Sequence, residues 1–396
     1  MVEWKELGEV FNLRNGYTPS TKNPEYWNGG IIPWFRMEDI RQNGNILKDS
    51  LLHITDKGLK KSGLFPANSI IVATSATIGE HALLQVEALS NQRFTNLYPK
   101  TYWIDKICMK FAHYYMFIID EWCKTHTNNG GFSSVDMKGF SKILIPIPPL
   151  SEQNRIVGIL DTFTESIENL KKQITERKKQ YAYLIDQAFG GSLAEMKKKA
   201  EVGTIRIETL SSHGTFTRGR RFVRTDIIDN GQPCIHYGDM YTYYGLCADK
   251  AKTHLPYDFP KKMRYAKKGD VVIVAAGENN EDIGVGLVWQ GEEPAAVHDA
   301  CFIYESDFEP MFLSYFLRSS IYHLQIKSNV VRGKICSISS DGIGKALIPI
   351  YPIDKQKEIV ENLYPYEKLF VNLQAQLELR QKQYEYYRNM LLTFDE

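Results

Sequence analysis

The sequence predicts an α+β protein. It has two similar mixed α/β globular domains, separated by two long antiparallel helices that form an intramolecular coiled coil with pseudo-two-fold symmetry. Three observations lead there. The chain carries one plan twice, 203 residues apart: Ile145-Pro146-Ile147 with Pro149 and Gln153 returns as Ile348-Pro349-Ile350 with Pro352 and Gln356. Each copy runs into a long stretch of heptad-spaced apolar residues. Each is preceded by a region of short strand and turn signals. The same offset carries Arg177, Lys179, Gln180, Tyr181 and Tyr183 onto Arg380, Lys382, Gln383, Tyr384 and Tyr386, Leu7 onto Leu210, and Gly16 onto Gly219. A repeat of this length is a duplicated domain, since solenoid units run about 20–50 residues. The expected divisions are 1–149 and 203–352 for the globular domains, 150–190 and 353–396 for the helices, and 191–202 for a linker.

Within the first domain, Ser69-Ile70-Ile71-Val72-Ala73 is a strand core behind a Phe65-Pro66-Ala67-Asn68 turn, and Gly29-Gly30 and Asn128-Asn129-Gly130-Gly131 mark further turns. Tyr114 to Cys123 reads as a short helix with Phe117, Ile118 and Trp122 on its apolar side. The strand Ile143 to Ile147 is stopped by Pro148-Pro149, and Ser151 is the expected N-cap of the helix that follows. Gly190-Gly191-Ser192 should end that helix near Phe189, and 193–202, with Lys197-Lys198-Lys199, should be a solvated linker. In the second half, Val271-Val272-Ile273-Val274-Ala275 is the matching strand core. Phe312, Tyr315 and Phe316 lie on a short helix, Ala346 to Ile350 closes the domain and Asp354 is the expected N-cap. Pro365 should kink or break the second long helix, because proline lacks the N–H and clashes with the preceding turn.

The seam of the first helix is Ile156, Leu160, Phe163, Ile167, Leu170 and Ile174, resuming at Tyr181, Leu184 and Ala188; that of the second is Ile359, Leu363, Tyr366, Phe370, Leu373 and Leu377, then Arg380, Tyr384, Tyr387 and Leu391. About five heptads make a rod of roughly 50–55 Å. Neither stripe has a partner in its own half. The two can pair within the chain or between chains, and antiparallel pairing within one chain is favoured because it gives both halves equivalent surroundings. Arg177 and Arg380 interrupt both seams at one register. Their stems are expected to lie along the coil with the guanidinium in water, the other reading being a contact to a partner protein or phosphate.

Composition narrows the function. Apolar residues make up 43% and charged residues 24%, the balance of an ordinary soluble protein. No apolar run nears the roughly 18 residues of a membrane span and no signal peptide is visible, so cytoplasmic residence is expected. Six scattered cysteines without a Cys-x-x-Cys pair argue against zinc and disulfides, and nine histidines form no His-Glu-x-x-His, so neither metal nor cofactor is expected. The net charge of +1 lends no support to a free-standing nucleic-acid binder, leaving that role to local patches or partner subunits.

The run from Gly130 through Phe132-Ser133-Ser134 and Gly139-Phe140 into Ile145-Pro146-Ile147-Pro148-Pro149-Leu150-Ser151-Glu152-Gln153, echoed from Gly333 through Ser337-Ile338 to Gln356, resembles the specificity subunit of type I restriction-modification systems. The resemblance covers the whole chain. Its second copy, Pro352-Ile353-Asp354-Lys355-Gln356, is weaker and is secured by the offset. The resemblance implies two target recognition domains, each reading half of a bipartite site in double-stranded DNA. It implies that the helices fix the spacer and dock two methyltransferase (modification) subunits, that restriction subunits join them, and that the chain itself is non-catalytic. The residues fit this: Trp34, Arg36 and Glu38 align with Cys234, His236 and Gly238 at an offset of 200, one scaffold with different surface chemistry.

Candidate DNA contacts are basic or amide residues on expected loops: Arg14, Asn15, Arg36, Arg41, Arg93, Asn128, Asn129 and Ser133 in the first half, and Arg218, Arg220, Arg221, Arg224, Arg332 and Lys334 in the second. Arginine can bond a guanine edge with two parallel donors, asparagine an adenine edge, while lysines and glycine-loop amides suit phosphates. The bland reading of the strongest patch, Arg218-Gly219-Arg220-Arg221, is a solvated turn. The rival to DNA reading is a non-catalytic coiled-coil scaffold with two protein-binding heads, which the neutral charge favours. Enzyme readings are weaker. Asn23-Pro24-Glu25-Tyr26 departs from the amino-methyltransferase Asn-Pro-Pro-Tyr, Gly284-Val285-Gly286 lacks a third glycine, no phosphate loop exists, and Asp136-Met137-Lys138 and Glu195-Met196-Lys197 lack the Pro-Asp of a nuclease site.

Overall fold

The computed structural model describes residues 2–128, 133–260 and 262–394. The chain forms two compact units: residues 1–169 with 377–396, and residues 170–376. The unit limits thus fall inside the long helices rather than at their ends.

The first unit contains strands β1 (Glu3–Glu6), β2 (Phe11–Asn15), β3 (Ile32–Phe35), β4 (Ile46–Leu47), β5 (His53–Ile54), β6 (Ser69–Ala73), β7 (His81–Leu84), β8 (Leu89–Ser90), β9 (Phe94–Pro99), β10 (Thr127–Asn128), β11 (Ser134–Val135) and β12 (Leu144–Ile147). Its short helices are α1 (Leu7–Val10), α2 (Met37–Asn43), α3 (Met109–Thr125) and α4 (Met137–Ser141), and α5 (Leu150–Ala188) starts there. A five-stranded sheet runs β2-β9-β6-β7-β4 and a smaller one β5-β3-β8. β6, apolar from Ile70 to Ala73, is central because both of its faces are covered, and every residue of it is buried. The proline-bounded β12 pairs antiparallel with β1, Glu3 opposite Ile147.

The second unit repeats this. After α6 (Leu193–Glu201) come β13 (Arg206–Thr209), β14 (Gly214–Arg218), β15 (Gln232–Ile235), α7 (Asp239–Thr242), β16 (Cys247–Ala248), β17 (Thr253–Leu255), β18 (Tyr265–Ala266) and β19 (Val271–Val274). They are followed by β20 (Ala276–Gly277), β21 (Gly286–Trp289), β22 (Ala295–Val297), β23 (Cys301–Ser306), α8 (Pro310–Phe316), α9 (Ser320–Ile326), β24 (Cys336–Ser337), α10 (Ser340–Gly344), β25 (Leu347–Ile350) and α11 (Ile353–Leu391). The large sheet runs β14-β23-β19-β21-β16 and the smaller β17-β15-β22-β18. β13 pairs with β25 in the register of β1 with β12, Arg206 opposite Ile350. The repeated Leu7 and Leu210 do one job: both are fully buried, and their amides reach Ile143 O and Ala346 O at 2.8 and 2.9 Å.

α5 and α11 are each 39 residues long, about 58 Å. In the first unit, Ile156, Leu160 and Ile167 are buried, Phe163 stacks on Tyr387 at 5.3 Å, and Leu392 completes the core with Tyr384 and Leu391 packed against it. There the start of α5 lies beside the end of α11. In the second unit, Ile185 and Phe189 share a core with Ile359 and Leu363, so the end of α5 lies beside the start of α11. The helices therefore run antiparallel. Leu373 is buried, while Leu170, Ile174, Phe370 and Leu377 are half-buried.

Several expectations are corrected. The 191–202 linker is mostly the helix α6, capped by a reciprocal Ser192–Glu195 box and anchored by fully buried Met196. The long helices begin at Leu150 and Ile353, so Ser151 and Asp354 lie in their first turns instead of capping them. α11 continues through Pro365, which is solvent-exposed. Tyr366 is 40% exposed, and the half-buried neighbour at that turn is Glu367. Burial and the nearby Glu367 charge push the phenol of Tyr181 far above its ordinary range. Arg177 is exposed and bonds Gln180, whereas Arg380 is half-buried with its guanidinium 5.7 Å above the Phe163 ring. Their shared register does not give them one environment.

Candidate nucleic-acid interface

Each unit has a rim where β2 or β14 leaves its large sheet. In the first unit, backbone hydrogen bonds tie the rim together: Gly16 N to Phe94 O at 2.9 Å, Tyr17 N to Ser90 O at 2.9 Å, Asn91 N to Phe35 O at 3.1 Å and Thr74 N to Arg93 O at 2.9 Å. Ala76 N donates to Ser133 O at 3.3 Å, and Asn128 pairs with Ser134. Asn15, Arg36, Arg93, Asn128 and Ser133 are thereby gathered at one place. In the second unit the same bonds recur: Gly219 N to Cys301 O at 3.0 Å, Arg220 N to Val297 O at 2.9 Å, His298 N to Ile235 O at 3.1 Å and Ala275 N to Ala300 O at 2.7 Å. The repeated glycine is explained here. A Cβ at Gly16 would stand 2.3 Å from Asn91 O, and one at Gly219 2.2 Å from His298 O.

On this common frame the side chains differ. In the first unit Arg36 follows β3, with its guanidinium 6.0 Å from the Trp34 ring and its backbone N–H on Asp39 Oδ2 at 2.7 Å. Trp34 is itself held by Nε1 donating to Tyr17 O at 3.0 Å. Asn15 is exposed and accepts from Thr95 Oγ1 at 2.8 Å. Arg41 is exposed in the last turn of α2. Arg14 does not join them. Alternation along β2 sends its half-buried guanidinium over the Phe65 ring at 4.6 Å and onto Ser62 O. Asn129 lies outside the described residues.

In the second unit His236 stands where Arg36 stands in the first, directly after the equivalent strand. Arg218, Arg221, Arg224, His236, His298 and Ile335 line a cleft of about 620 Å³. A second cleft of about 630 Å³ shares Arg224, His236 and Tyr237 and adds Asp239 and Lys252, which pair at 2.9 Å. Burial, reinforced by neighbouring His298, pulls the pKa of His236 down to about 4. Its neutral ring accepts Gly238 N–H at Nδ1, 3.2 Å away, which leaves the proton on Nε2. Burial likewise lowers His298, whose Nε2–H donates to Phe222 O at 3.0 Å and whose Nδ1 accepts from Ala300 N at 3.1 Å. Arg218 Nε donates to Asp299 O at 2.8 Å, and Arg220, Arg332 and Lys334 are exposed.

His236, His298, Tyr237 and Lys252 were absent from the candidates read off the sequence. The alignment of Arg36 with His236 was the available signal, but a lone histidine gives no hint that a second ring 4.8 Å away completes the wall. Among the described residues no group of His, Cys, Asp and Glu could hold a metal ion, and no helix is long and apolar enough to cross a membrane.

Comparison with known proteins agrees with this duplicated frame. Residues 1–177 match the family model described as type I restriction modification DNA specificity domain. The chain is 47% identical over 233 residues to the Escherichia coli type I restriction enzyme EcoprrI specificity subunit, covering 55% of this chain and 58% of that protein. It is 35% identical over 201 residues to the E. coli EcoR124I/EcoR124II specificity subunit, covering 48% of each. The chain thus spans about half the length of these two relatives. Over 99% of its own length it is 23% identical to the Methanocaldococcus jannaschii MjaVIII specificity subunit, covering 92% of that protein. In fold it matches a chain from a structural study of complex assembly in the type I R-M system, with TM-score 0.60 and 18% identity over 98% of this chain and 96% of that one. It also matches the M. genitalium type I restriction-modification S subunit, with TM-score 0.57 and 14% identity over 100% of this chain and 97% of that one. With its twice-used frame, the chain is similar over residues 1–177 to the type I restriction modification DNA specificity domain, and over about half its length to type I restriction enzyme specificity subunits, whose fold it shares.

Proposed function

We propose that this chain is the DNA sequence-specificity subunit of a type I restriction-modification complex. Each unit reads one half of a bipartite double-stranded site through its rim. The observation that carries this is one backbone frame presenting Asn15, Arg36 and Arg93 in one unit and Arg218, Arg220 and His236 in the other. Identical scaffolding with different donors suits the reading of two different half-sites. Globular segments 1–149 and 203–352 act as the readers, helical segments 150–190 and 353–396 set the gap between half-sites, and 191–202 joins the halves. Modification and restriction subunits supply the chemistry; the chain itself is non-catalytic.

Repeated exposed side chains support docking of two copies of one partner. Tyr183 and Tyr386, related by the 203-residue offset, are 63% and 65% exposed on the long helices. Two equivalent seats suit two identical modification subunits. The test is footprinting of the chain reconstituted with modification subunits. Two protected patches separated by an unread gap are expected. A single continuous footprint contradicts the reading, and no protection at all favours a protein-binding scaffold.

A further inference from the structure

The hairpin tip at residues 331–335 exposes apolar side chains that its own fold does not use. Val331 is 67% exposed and Ile335 62%. The residues just after them do the packing: Cys336 and Ile338 are buried, β24 pairs with β20, and Ile338 N donates to Ala275 O at 2.8 Å. Val331 and Ser337 exchange both backbone hydrogen bonds, at 2.8 and 3.0 Å, closing the hairpin below its tip. Arg332 and Lys334 are exposed between the two apolar residues. Ile335 also lines the cleft that contains Arg218, Arg221 and Arg224.

An isoleucine held in water beside two cations, at the lip of an arginine-lined cleft, has the composition of a wedge. The cations neutralise phosphates, while the apolar group gains more dry surface on the face of an unstacked base than on a thymine methyl in the groove. An apolar protein surface would cover Val331 and Ile335 but would desolvate Arg332 and Lys334 without giving them anions. The backbone pairing below the tip presents the wedge ready-made, so little ordering accompanies binding. In the sequence the 203-residue offset aligns Ile335 with Phe132, which lies outside the described residues.

We infer that the 331–335 hairpin enters a groove of duplex DNA and that Ile335 partly unstacks one base step of the half-site read by the second unit. This rests on the DNA-reading function proposed above. The experiment uses the full chain with its modification subunits and duplexes carrying 2-aminopurine at successive positions of that half-site, omitting any base that the modification subunits methylate. A several-fold rise in fluorescence is expected at one step. Ile335→Ala should abolish that rise while the half-site stays protected and affinity falls less than tenfold, and Ile335→Leu should keep it. Arg332→Ala and Lys334→Ala should each lower the salt dependence of binding by about one phosphate contact. A protected half-site with no fluorescence rise at any step, or a rise that survives Ile335→Ala, overturns the wedge and leaves the DNA reading standing. Loss of protection by the wild-type complex overturns both.

Discussion

Gln153 Oε1 accepts the backbone N–H of Cys108 at 2.7 Å, and its Nε2 donates to Pro148 O at 2.8 Å. In the other unit Gln356 Oε1 accepts from Glu309 N at 2.8 Å and its Nε2 donates to Tyr351 O at 2.8 Å. Both glutamines are buried. Each clamps the start of a head helix to the entry of a long helix, which accounts for its place in the repeated phrase. Gln153→Ala or Gln356→Ala leaves a part-buried amide and a carbonyl without their partner, with an expected cost of about 1–3 kcal/mol. Urea unfolding of each variant measures it, and an unchanged midpoint would remove the clamp from the account.

The two rims should be separable by mutation. Arg36→Ala is expected to weaken only the half-site read by the first unit, by about 1–3 kcal/mol. The double variant Arg220→Ala, Arg221→Ala should weaken only the other. Competition binding with duplexes altered in one half at a time reads this out; equal loss at both halves refutes the division of labour.

Insertion of four residues into both α5 and α11 adds about one turn, or roughly 6 Å, to each. Footprints of the reconstituted complex should then show both half-sites unchanged and the unread gap longer by about two base pairs, taking roughly 3.4 Å per pair. A changed half-site with an unchanged gap would mean that the helices do not measure distance.

Tyr183→Ala and Tyr386→Ala should each remove one bound modification subunit while leaving the fold's stability within about 0.5 kcal/mol, as expected for exposed positions. Native mass spectrometry counts the subunits, and retention of both copies by the double variant would exclude these seats.

Burial keeps His236 neutral with its pKa at about 4, whereas an unfolded histidine titrates near about 6.5. Between these values the unfolded chain binds more protons, so stability rises with pH. The contribution is complete above about pH 6.5 and is lost as pH falls through about 4. At about pH 4.5 the loss is on the order of 2 kcal/mol. His298, lowered in the same direction, adds to it. His236→Asn should flatten this part of the pH–stability curve, and an unaltered slope would exclude His236 as its source.

The long helices and central strands were readable because period is a local property of sequence: Ile156, Leu160 and Ile167, or the run at β19, announce burial without knowledge of a partner. Strand β1 was not, since Glu3–Glu6 looks like a charged terminus until β12 supplies its ladder. The linker was misread from its lysines, while the short helix there depends on Ser192 capping and one methionine, Met196. Arg14 and Arg36 look alike as residues. Only strand alternation and the neighbouring Phe65 and Trp34 decide that one turns inward and the other meets the rim. Base-reading chemistry depends on such placement, which spacing does not encode.

The last twenty residues, 377–396, belong to the unit that opens the chain. The core around Phe111, Ile156 and Leu160 is closed by Tyr384, Leu391 and Leu392 from the far end of α11. Closing this core joins segments far apart in sequence, so one side of α5 stays uncovered until α11 docks, and folding of the first unit is expected to be slow.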